Sequence, residues 1–375
     1  MGKPKIAFTG GGTGGHIYPN LAIIEDLKQK AQIYYFGHPE KLEAKLLKNN
    51  ELKDHNNRAF CEYVSFVDVR SEPLLKSVNP VKLWAWYKRF NEYRDQAIIK
   101  LKEAQIELVF GTGGYAAGPV FAACQKLKIP YIIHNLDAHM GLANRAFVKG
   151  ASALSLGVCD LKIKPKKGKV EINGNPVSNK FLNSLSNSNE DKEKFTLLVT
   201  GGSQGAQAIN DAIGELLPEF AKLDLKLIHV TGAKNYEEHK KKYFKEKYDF
   251  YELLDYTHEM PKLCAQADIA VCRSGAMTIA EMLASETMCI FIPLPWAAHD
   301  HQTKNAQAIA DQGAAICLDQ DQKDLKENLL GIVKLALSEP NFLKNYKEKI
   351  KAINKNNAKD QIIKLIFETL DLSKC

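Results

Sequence analysis

The sequence predicts an α/β protein made of two Rossmann-like domains with parallel sheets. Three observations carry the prediction. At 375 residues the chain exceeds a single core and fits two domains of the usual ~100–200 residues. Short β-branched and aromatic runs alternate with helical patterns, as in parallel sheets whose crossovers are helices. The two halves also open alike: Ile6-Ala7-Phe8-Thr9-Gly10-Gly11 and Leu197-Leu198-Val199-Thr200-Gly201-Gly202 each run an apolar strand into a glycine turn and then a helix.

In order along the first half, β-rich runs predict strands over 5–8, 32–36, 107–110 and 131–134. Apolar spacing predicts helices over 16–30, 39–48, 80–103 and 117–127. In the second half strands are expected over 196–200, 225–230, 269–272, 288–292 and 315–318, with helices over 205–222, 276–286, 301–312 and 322–338. Between the halves lie Lys162–Lys169, then Asn173-Gly174-Asn175-Pro176, then a polar stretch from Asn183 to Lys194, and composition puts the domain boundary in this zone. No aromatic residues interleave with those lysines for base stacking, so the run reads as a solvated loop and no nucleic-acid partner is expected.

Hydrophobic residues make up 45% and charged residues 25% of the chain, a globular mix that excludes disorder as the main state. Lys plus Arg number 51 against 44 Asp plus Glu, a net charge of +7, which suits an anionic partner without identifying one. No apolar run approaches the ~18–20 residues that span a bilayer. The start, Met1-Gly2-Lys3-Pro4-Lys5 before Ile6-Ala7-Phe8, has no signal-peptide segment, so a cytoplasmic protein is expected. The 8 cysteines are scattered with no Cys-x-x-Cys pair, which points to reduced, mostly buried thiols rather than zinc or disulfides.

Four glycine-rich turns carry the chemistry. Gly10-Gly11-Gly12-Thr13-Gly14-Gly15-His16 stands between a predicted strand and a predicted helix. Glycines let backbone approach a bulky anion, and the helix N-terminus offers free N–H groups and a partial positive charge. Gly10, Gly12 and Gly15 formally satisfy G-x-G-x-x-G, but a dinucleotide site wants an acid at the end of the second strand. Here that strand ends Tyr35-Phe36-Gly37-His38, which argues against a nicotinamide cofactor. The other turns are Gly201-Gly202-Ser203-Gln204-Gly205, Gly111-Thr112-Gly113-Gly114-Tyr115 and Arg273-Ser274-Gly275-Ala276. No G-x-x-x-x-G-K-[ST] occurs, so P-loop nucleotide hydrolysis is unsupported. Each turn alone could be a plain tight connection; four at the carboxyl ends of strands suggest a ligand there.

Taken in order, these residues resemble the MurG family of bacterial peptidoglycan glycosyltransferases. The matching positions are Gly10–His16 with Pro19 and Asn20, Gly113-Gly114-Tyr115, Gly141-Leu142-Ala143-Asn144 and Gly174-Asn175-Pro176-Val177. They continue with Gly201–Ala206, Cys272–Ala276 through Glu281, and Asp300-His301-Gln302-Thr303-Lys304-Asn305-Ala306. The resemblance implies the GT-B fold, two Rossmann-like domains facing across a cleft, with an acceptor-binding, membrane-facing N-terminal domain (1–176 plus 358–375) and a UDP-sugar-binding C-terminal domain (177–357). It implies inverting transfer of N-acetylglucosamine from UDP-N-acetylglucosamine to the 4-hydroxyl of an undecaprenyl-diphosphate-linked muramyl-peptide acceptor, giving lipid II for cell-wall synthesis, cell shape and division. It places the enzyme peripherally on the cytoplasmic face of the cell membrane. Other GT-B chemistries, a diacylglycerol glycosyltransferase or a UDP-N-acetylglucosamine 2-epimerase, and a non-catalytic nucleotide-sugar-binding protein are the alternatives.

An alcohol nucleophile needs a general base within hydrogen-bond reach. His16 suits that task, since an unperturbed imidazole has a pKa of about 6.5; capping its own helix is the alternative. Helix N-termini behind Ser203 and behind Ala276, Met277 and Thr278 could receive the diphosphate without a metal or other cofactor, with the hydroxyls as extra donors. Asp319-Gln320-Asp321 has the spacing of a metal-binding acid pair but sits where acids cap the helix over 322–338. The resemblance makes Glu281, one turn beyond Thr278, the acceptor of two hydrogen bonds from the ribose diol, and Gln302 the reader of the sugar hydroxyls. It adds Thr13, Gly14, Gly15, Asn144, Ser203 and Gln204 on the donor side, and His16, Gly113, Gly114, Tyr115 and Asp137 on the acceptor side. Many relatives read His-Glu-Gln-Asn where this chain reads His134-Asn135-Leu136-Asp137, so Asp137 could stand in for the missing acid or His16 could act without it. Ser178 stands where an arginine is common, and Thr303 where a second glutamine is common.

Leu83, Trp86, Phe90, Tyr93, Ala97 and Leu101 recur at helical spacing and are expected to face the core. Val81 and Trp84 fall off that stripe, with Leu74, Leu75 and Val78 just upstream. From Leu74 to Lys102 seven basic residues stand against Glu92 and Asp95. An apolar patch ringed by bases fits docking on an anionic membrane surface, at about 1 kcal/mol per basic residue; packing under a loop is the alternative.

Overall fold

The computed structural model describes residues 2–48, 52–54, 56–73, 79–159, 161–186, 194–202, 205–243, 248–354 and 357–373. Two compact units emerge, Met1–Asn179 with Asn357–Cys375, and Lys180–Asn356.

The elements run β1 (Lys5–Gly10), α1 (Gly14–Leu27), β2 (Gln32–Gly37), α2 (Leu42–Lys48), β3 (Val64–Asp68), α3 (Pro80–Glu103), β4 (Leu108–Gly113), α4 (Ala117–Leu127), β5 (Tyr131–Asn135), α5 (Leu142–Phe147), β6 (Ala153–Leu156), β7 (Lys169–Ile172) and α6 (Asn179–Ser186). They continue with β8 (Phe195–Thr200), α7 (Gln207–Phe220), β9 (Leu225–Val230), α8 (Tyr236–Tyr243), β10 (Tyr251–Leu254), α9 (Met260–Gln266), β11 (Ile269–Cys272), α10 (Ala276–Ala284), β12 (Met288–Phe291), α11 (His301–Ala310), β13 (Ala315–Cys317), α12 (Leu325–Ser338), α13 (Pro340–Ile353) and α14 (Ala358–Leu372).

Among the described residues the first unit has a seven-stranded sheet ordered β3-β2-β1-β4-β5-β6-β7. Its described pairings are parallel, with Ile6 beside Ile33 and Leu108. Both faces are covered, which is why its central strands read as continuous apolar runs. Ile6 and Phe8 face a core closed by Ile17, Leu21 and Ile24 of α1 and by Ile362, Leu365 and Ile366 of α14. Ala7 faces the other core with Ala97 and Leu101 of α3 and Val120 and Phe121 of α4. Helix α14 thus belongs to the first unit, and Lys359 anchors it by pairing with Asp26 and Asn179.

Among the described residues the second unit carries a parallel six-stranded sheet ordered β10-β9-β8-β11-β12-β13. In each sheet the order reverses beside the first strand of the unit, between β1 and β4 and between β8 and β11. That is the position where open α/β sheets receive ligands, beyond the strands' carboxyl ends. All four glycine turns follow one of these strands.

Several expectations change. Strands β3, β6, β7 and β10 were not anticipated, because each is short and has its apolar run broken by a polar residue, Ser65, Ser155, Glu171 and Glu252. The lysine-rich stretch ends in β7, which pairs with β6, so it belongs inside the first unit. Leu83 does not face the core: it is 46% exposed, while the stripe is buried only at Ala97 and Leu101. Helix α12 begins at Leu325, behind a turn in which Asp319 accepts from the Asp321 N–H at 2.9 Å.

Behind the second sheet, His229 contacts Asn210 Oδ1 and the Tyr251 hydroxyl at 3.0 Å each, and His239 contacts the same hydroxyl at 2.9 Å. Burial holds His239 down to about 4, and burial followed by the charge of His239 holds His229 well below the usual imidazole range. The unfolded chain binds these protons near 6.5. The neutral pair therefore contributes stability that is complete above about pH 6.5 and is lost as pH falls toward 4. At pH 5 both rings are expected to stay neutral by ring-nitrogen NMR; midpoints near 6.5 for both would sink this account.

Candidate active site

In the first unit the turns after β1 and β4 interlock through missing side chains. A Cβ on Gly114 (φ +75°) would stand 2.3 Å from the Gly11 carbonyl oxygen and 3.2 Å from His16 Cδ2. One on Gly12 (φ +91°) would meet the Tyr115 ring at 2.5 Å. Glycine is required at both because the turns must touch while their backbones adopt positive φ. Gly113 lies against Asn144, where a Cβ would stand 2.6 Å from Oδ1. That oxygen is buried and has no partner among the described residues.

Thr112 orients His16 from across the sheet. The Thr112 carbonyl lies 3.1 Å from His16 Nδ1, and the Thr112 hydroxyl donates to the His16 carbonyl at 2.5 Å. A carbonyl can only accept, so Nδ1 carries the hydrogen, and Nε2 is then the nitrogen that can take a proton. Buried Asn20 ties the same region together, donating to the carbonyls of Thr9 and His16 at 3.1 and 3.3 Å. Thr13 caps α1 in extended conformation without a side-chain hydrogen bond, leaving the first-turn N–H groups at Gly14 and Gly15 uncapped by it. Burial, and then the charge of Glu43, push the Tyr115 phenol above its usual range.

Asn135 does not present its amide as a free replacement for an acid. Its Nδ2 donates to the Asp137 carbonyl at 2.7 Å, and its Oδ1 accepts from Asn144 at 3.2 Å. It braces the 137–139 turn, and Asp137 sits on that turn, partly exposed.

In the second unit, Ser203 and Gln204 lie outside the described residues. Gly202 and Gly205 are both at positive φ, and the Gly205 N–H donates to the Gly202 carbonyl at 2.9 Å. Gly275 is the N-cap of α10 and has no side chain to cover the helix N-terminus, so Ala276, Met277 and Thr278 open the helix there. The turn before it is held from three sides. Arg273 donates to the carbonyls of Ile292 and Pro293 at 2.9 and 2.8 Å and to Gln320 at 2.6 Å, and burial lowers its pKa. The Ser274 hydroxyl donates to the Gln302 carbonyl at 2.8 Å, while Asn305 donates to the Ser274 carbonyl at 3.2 Å. Gln302 accepts from the Leu294 N–H at 3.0 Å through Oε1, which orients its amide. Glu281 follows on α10, and burial alone pushes its carboxyl up to about 8.

The predicted residues thus divide by unit: His16, Thr13, Gly14, Gly15, Gly113, Gly114, Tyr115, Asp137 and Asn144 in the first, Ala276, Met277, Thr278, Glu281 and Gln302 in the second. Sequence reasoning missed Glu43 and the orienting role of Thr112. Glu43 is fully buried against the first glycine turn, yet it sits in a Lys-Leu-Glu-Ala-Lys run that reads as a solvated helix.

Leu74, Leu75 and Val78 lie outside the described residues. Val81 and Trp84, at the start of α3, are 72% and 66% exposed, which removes internal packing as their role. Asn79 caps that helix by accepting from the Val81 and Lys82 N–H groups. No helix among the described residues is long and apolar enough to cross a membrane.

Comparison with known proteins gives a consistent result. The glycosyltransferase family 28 N-terminal domain matches residues 6–154, and the family's C-terminal domain matches residues 196–366. A UDP-N-acetylglucosamine–N-acetylmuramyl-(pentapeptide) pyrophosphoryl-undecaprenol N-acetylglucosamine transferase of Francisella philomiragia is 35% identical, covering 98% of each chain. The transferase of the same name from Carboxydothermus hydrogenoformans is 36% identical over 84% of each. Among solved structures, Acinetobacter baumannii MurG aligns with a TM-score of 0.75 and 25% identity, over 97% of this chain and 99% of that one.

Proposed function

Because the chain belongs to glycosyltransferase family 28, we propose that it transfers N-acetylglucosamine from UDP-N-acetylglucosamine to the muramyl 4-hydroxyl of lipid I, forming lipid II in peptidoglycan synthesis. The observation that carries this reading is its likeness along 98% of its length to a transferase of that name. The reaction is inverting. The acceptor O4 attacks the anomeric carbon, its proton passes to a base, and the bond to the diphosphate breaks with its electron pair leaving on UDP.

His16 is the base in this reading, since the Thr112 carbonyl fixes the hydrogen on Nδ1 and makes Nε2 the basic ring nitrogen. The acceptor sugar sits by the turns bearing His16, Gly113, Gly114 and Tyr115. The donor belongs to the second unit, where the start of α10 offers N–H groups and the Thr278 hydroxyl to the departing diphosphate. Glu281 takes the ribose diol and Gln302 the sugar hydroxyls, using the amide hydrogens that its Leu294 contact leaves over.

The lipid-linked acceptor requires a membrane surface, and α3 suits contact with the cytoplasmic leaflet as a peripheral anchor. Val81 and Trp84 are exposed on it beside Lys82, Lys88 and Arg89. The test uses labelled UDP-N-acetylglucosamine with a lipid I analogue in anionic vesicles. Label is expected in lipid II only when acceptor is present. Epimerised UDP-sugar without acceptor, or no turnover, would overturn the reading. Val81→Ser with Trp84→Ala is expected to weaken vesicle binding by about a hundredfold or more, from the lost apolar burial of about 1.5–3 kcal/mol per large side chain, and to leave UDP affinity unchanged. Equal vesicle binding would remove α3 from the membrane contact.

A further inference from the structure

The second unit holds a buried hydrogen-bond chain whose direction can be read from its last carbonyl. Asn210 on α7 donates through Nδ2 to the Thr231 carbonyl at 3.1 Å, so its Oδ1 is the atom that meets His229 Nε2 at 3.0 Å. An amide oxygen only accepts, so His229 Nε2 carries the hydrogen. Burial keeps this ring neutral, which makes Nδ1 an acceptor, and the Tyr251 hydroxyl at 3.0 Å donates to it. With that hydrogen spent, the Tyr251 oxygen accepts from His239 Nε2 at 2.9 Å. His239 is buried, and its Nδ1 has no partner among the described residues. An orphaned ring nitrogen is a cost that plain apolar packing would avoid.

The other end of the chain lies against the second glycine turn. Thr231 directly follows β9, and a Cβ on Gly205 (φ +73°) would stand 2.3 Å from the Thr231 carbonyl oxygen. Gly205 leads into α7, whose N-cap, Ala206, makes no side-chain hydrogen bond to the first-turn N–H groups. The entry to this helix therefore rests on the Thr231 carbonyl. Were the Asn210 amide turned over, its oxygen would face that carbonyl, and two acceptors in contact would push the turn from its support.

We propose that His229 is a positioning residue for the donor: with Tyr251 and His239 behind it, it locks the Asn210 amide, so that the Thr231 carbonyl and Gly205 hold the N-terminus of α7 in place for the diphosphate of UDP-N-acetylglucosamine. This rests on the assignment of the donor to the second unit. His229 is fully buried and acts through the turn.

The experiment joins calorimetry with UDP to ring-nitrogen NMR of the full chain. Tyr251→Phe keeps the ring but removes the hydroxyl between the two histidines. It is expected to bind UDP about tenfold more weakly, the loss of one buried hydrogen bond, with KM for lipid I unchanged. His229→Gln, which can still donate to Asn210, should bind UDP more tightly than His229→Leu, which cannot; a role in packing alone would make the two alike or favour leucine. In wild type both His229 and His239 should show the Nε2–H tautomer, and saturating UDP should shift the His229 signals although the ring is buried. An Nδ1–H tautomer at His229, or His229 signals unmoved by bound UDP, would overturn the proposal whether or not any variant folds. Equal UDP affinity in wild type, Tyr251→Phe and His229→Leu would overturn it too. No UDP uptake by wild type would count instead against the donor assignment, and the calorimetry shows that before any variant is compared.

Discussion

His16→Ala is expected to lower kcat for N-acetylglucosamine transfer by 10²–10⁴-fold, the usual range for losing a positioned general base, while UDP binds as before. The expectation comes from the direction of the ring. Thr112, 96 residues away, takes the Nδ1 hydrogen on its carbonyl and ties the His16 carbonyl with its hydroxyl. With the hydrogen fixed on Nδ1, the ring can take a proton only at Nε2. Thr112→Val keeps the carbonyl but loses the hydroxyl contact, so it should produce a smaller loss of kcat than His16→Ala. Steady-state rates at saturating donor and acceptor decide the matter. A His16→Ala enzyme within a few-fold of wild type would show that another group takes the proton.

The second large effect concerns Glu281. Glu281→Gln is expected to weaken UDP binding by roughly 10–100-fold, following about 1.5–3 kcal/mol for a hydrogen bond to a charged group. The sign of its pH dependence follows from burial. In the free protein the carboxyl is held up to about 8, so below pH 8 it carries a proton. A ribose diol that donates twice to it favours the ionised form. Wild-type UDP binding should therefore tighten as pH rises from 6 to 8, level off above about 8, and release a proton below it. Calorimetry in two buffers of different ionisation heat measures that proton directly. Binding that is flat across this range, or equally pH-dependent in Glu281→Gln, would detach the ribose from Glu281.

Much of this was legible in one dimension. Apolar runs such as Leu197–Val199 are buried whatever pairs with them, and a glycine turn after each is a local pattern, so the central strands and their following helices could be read directly. The exposed pair Val81 and Trp84 was separable from its neighbours by helical spacing. Spacing failed at Leu83, because a helix stripe records apolar positions and not where the neighbouring layer ends. It failed also at β3, β6, β7 and β10, whose short apolar runs are each interrupted by a polar residue, Ser65, Ser155, Glu171 and Glu252.

What belongs to the sequence alone is the α/β class, the glycine turns, His16, and the Thr278–Glu281 pair one turn apart on a helix. The tertiary structure decided what those groups face. Strand order places β4 beside β1, and only then does Thr112 meet His16. Return of the chain through α2 puts Glu43 into a gap left by Gly11 and Gly37, behind the first glycine turn. The physical reason is the same in each case. Burial and turn geometry are properties of a few consecutive residues, whereas the orientation of a ring or the charge behind a loop depends on partners tens of residues away that only the folded sheet brings into reach.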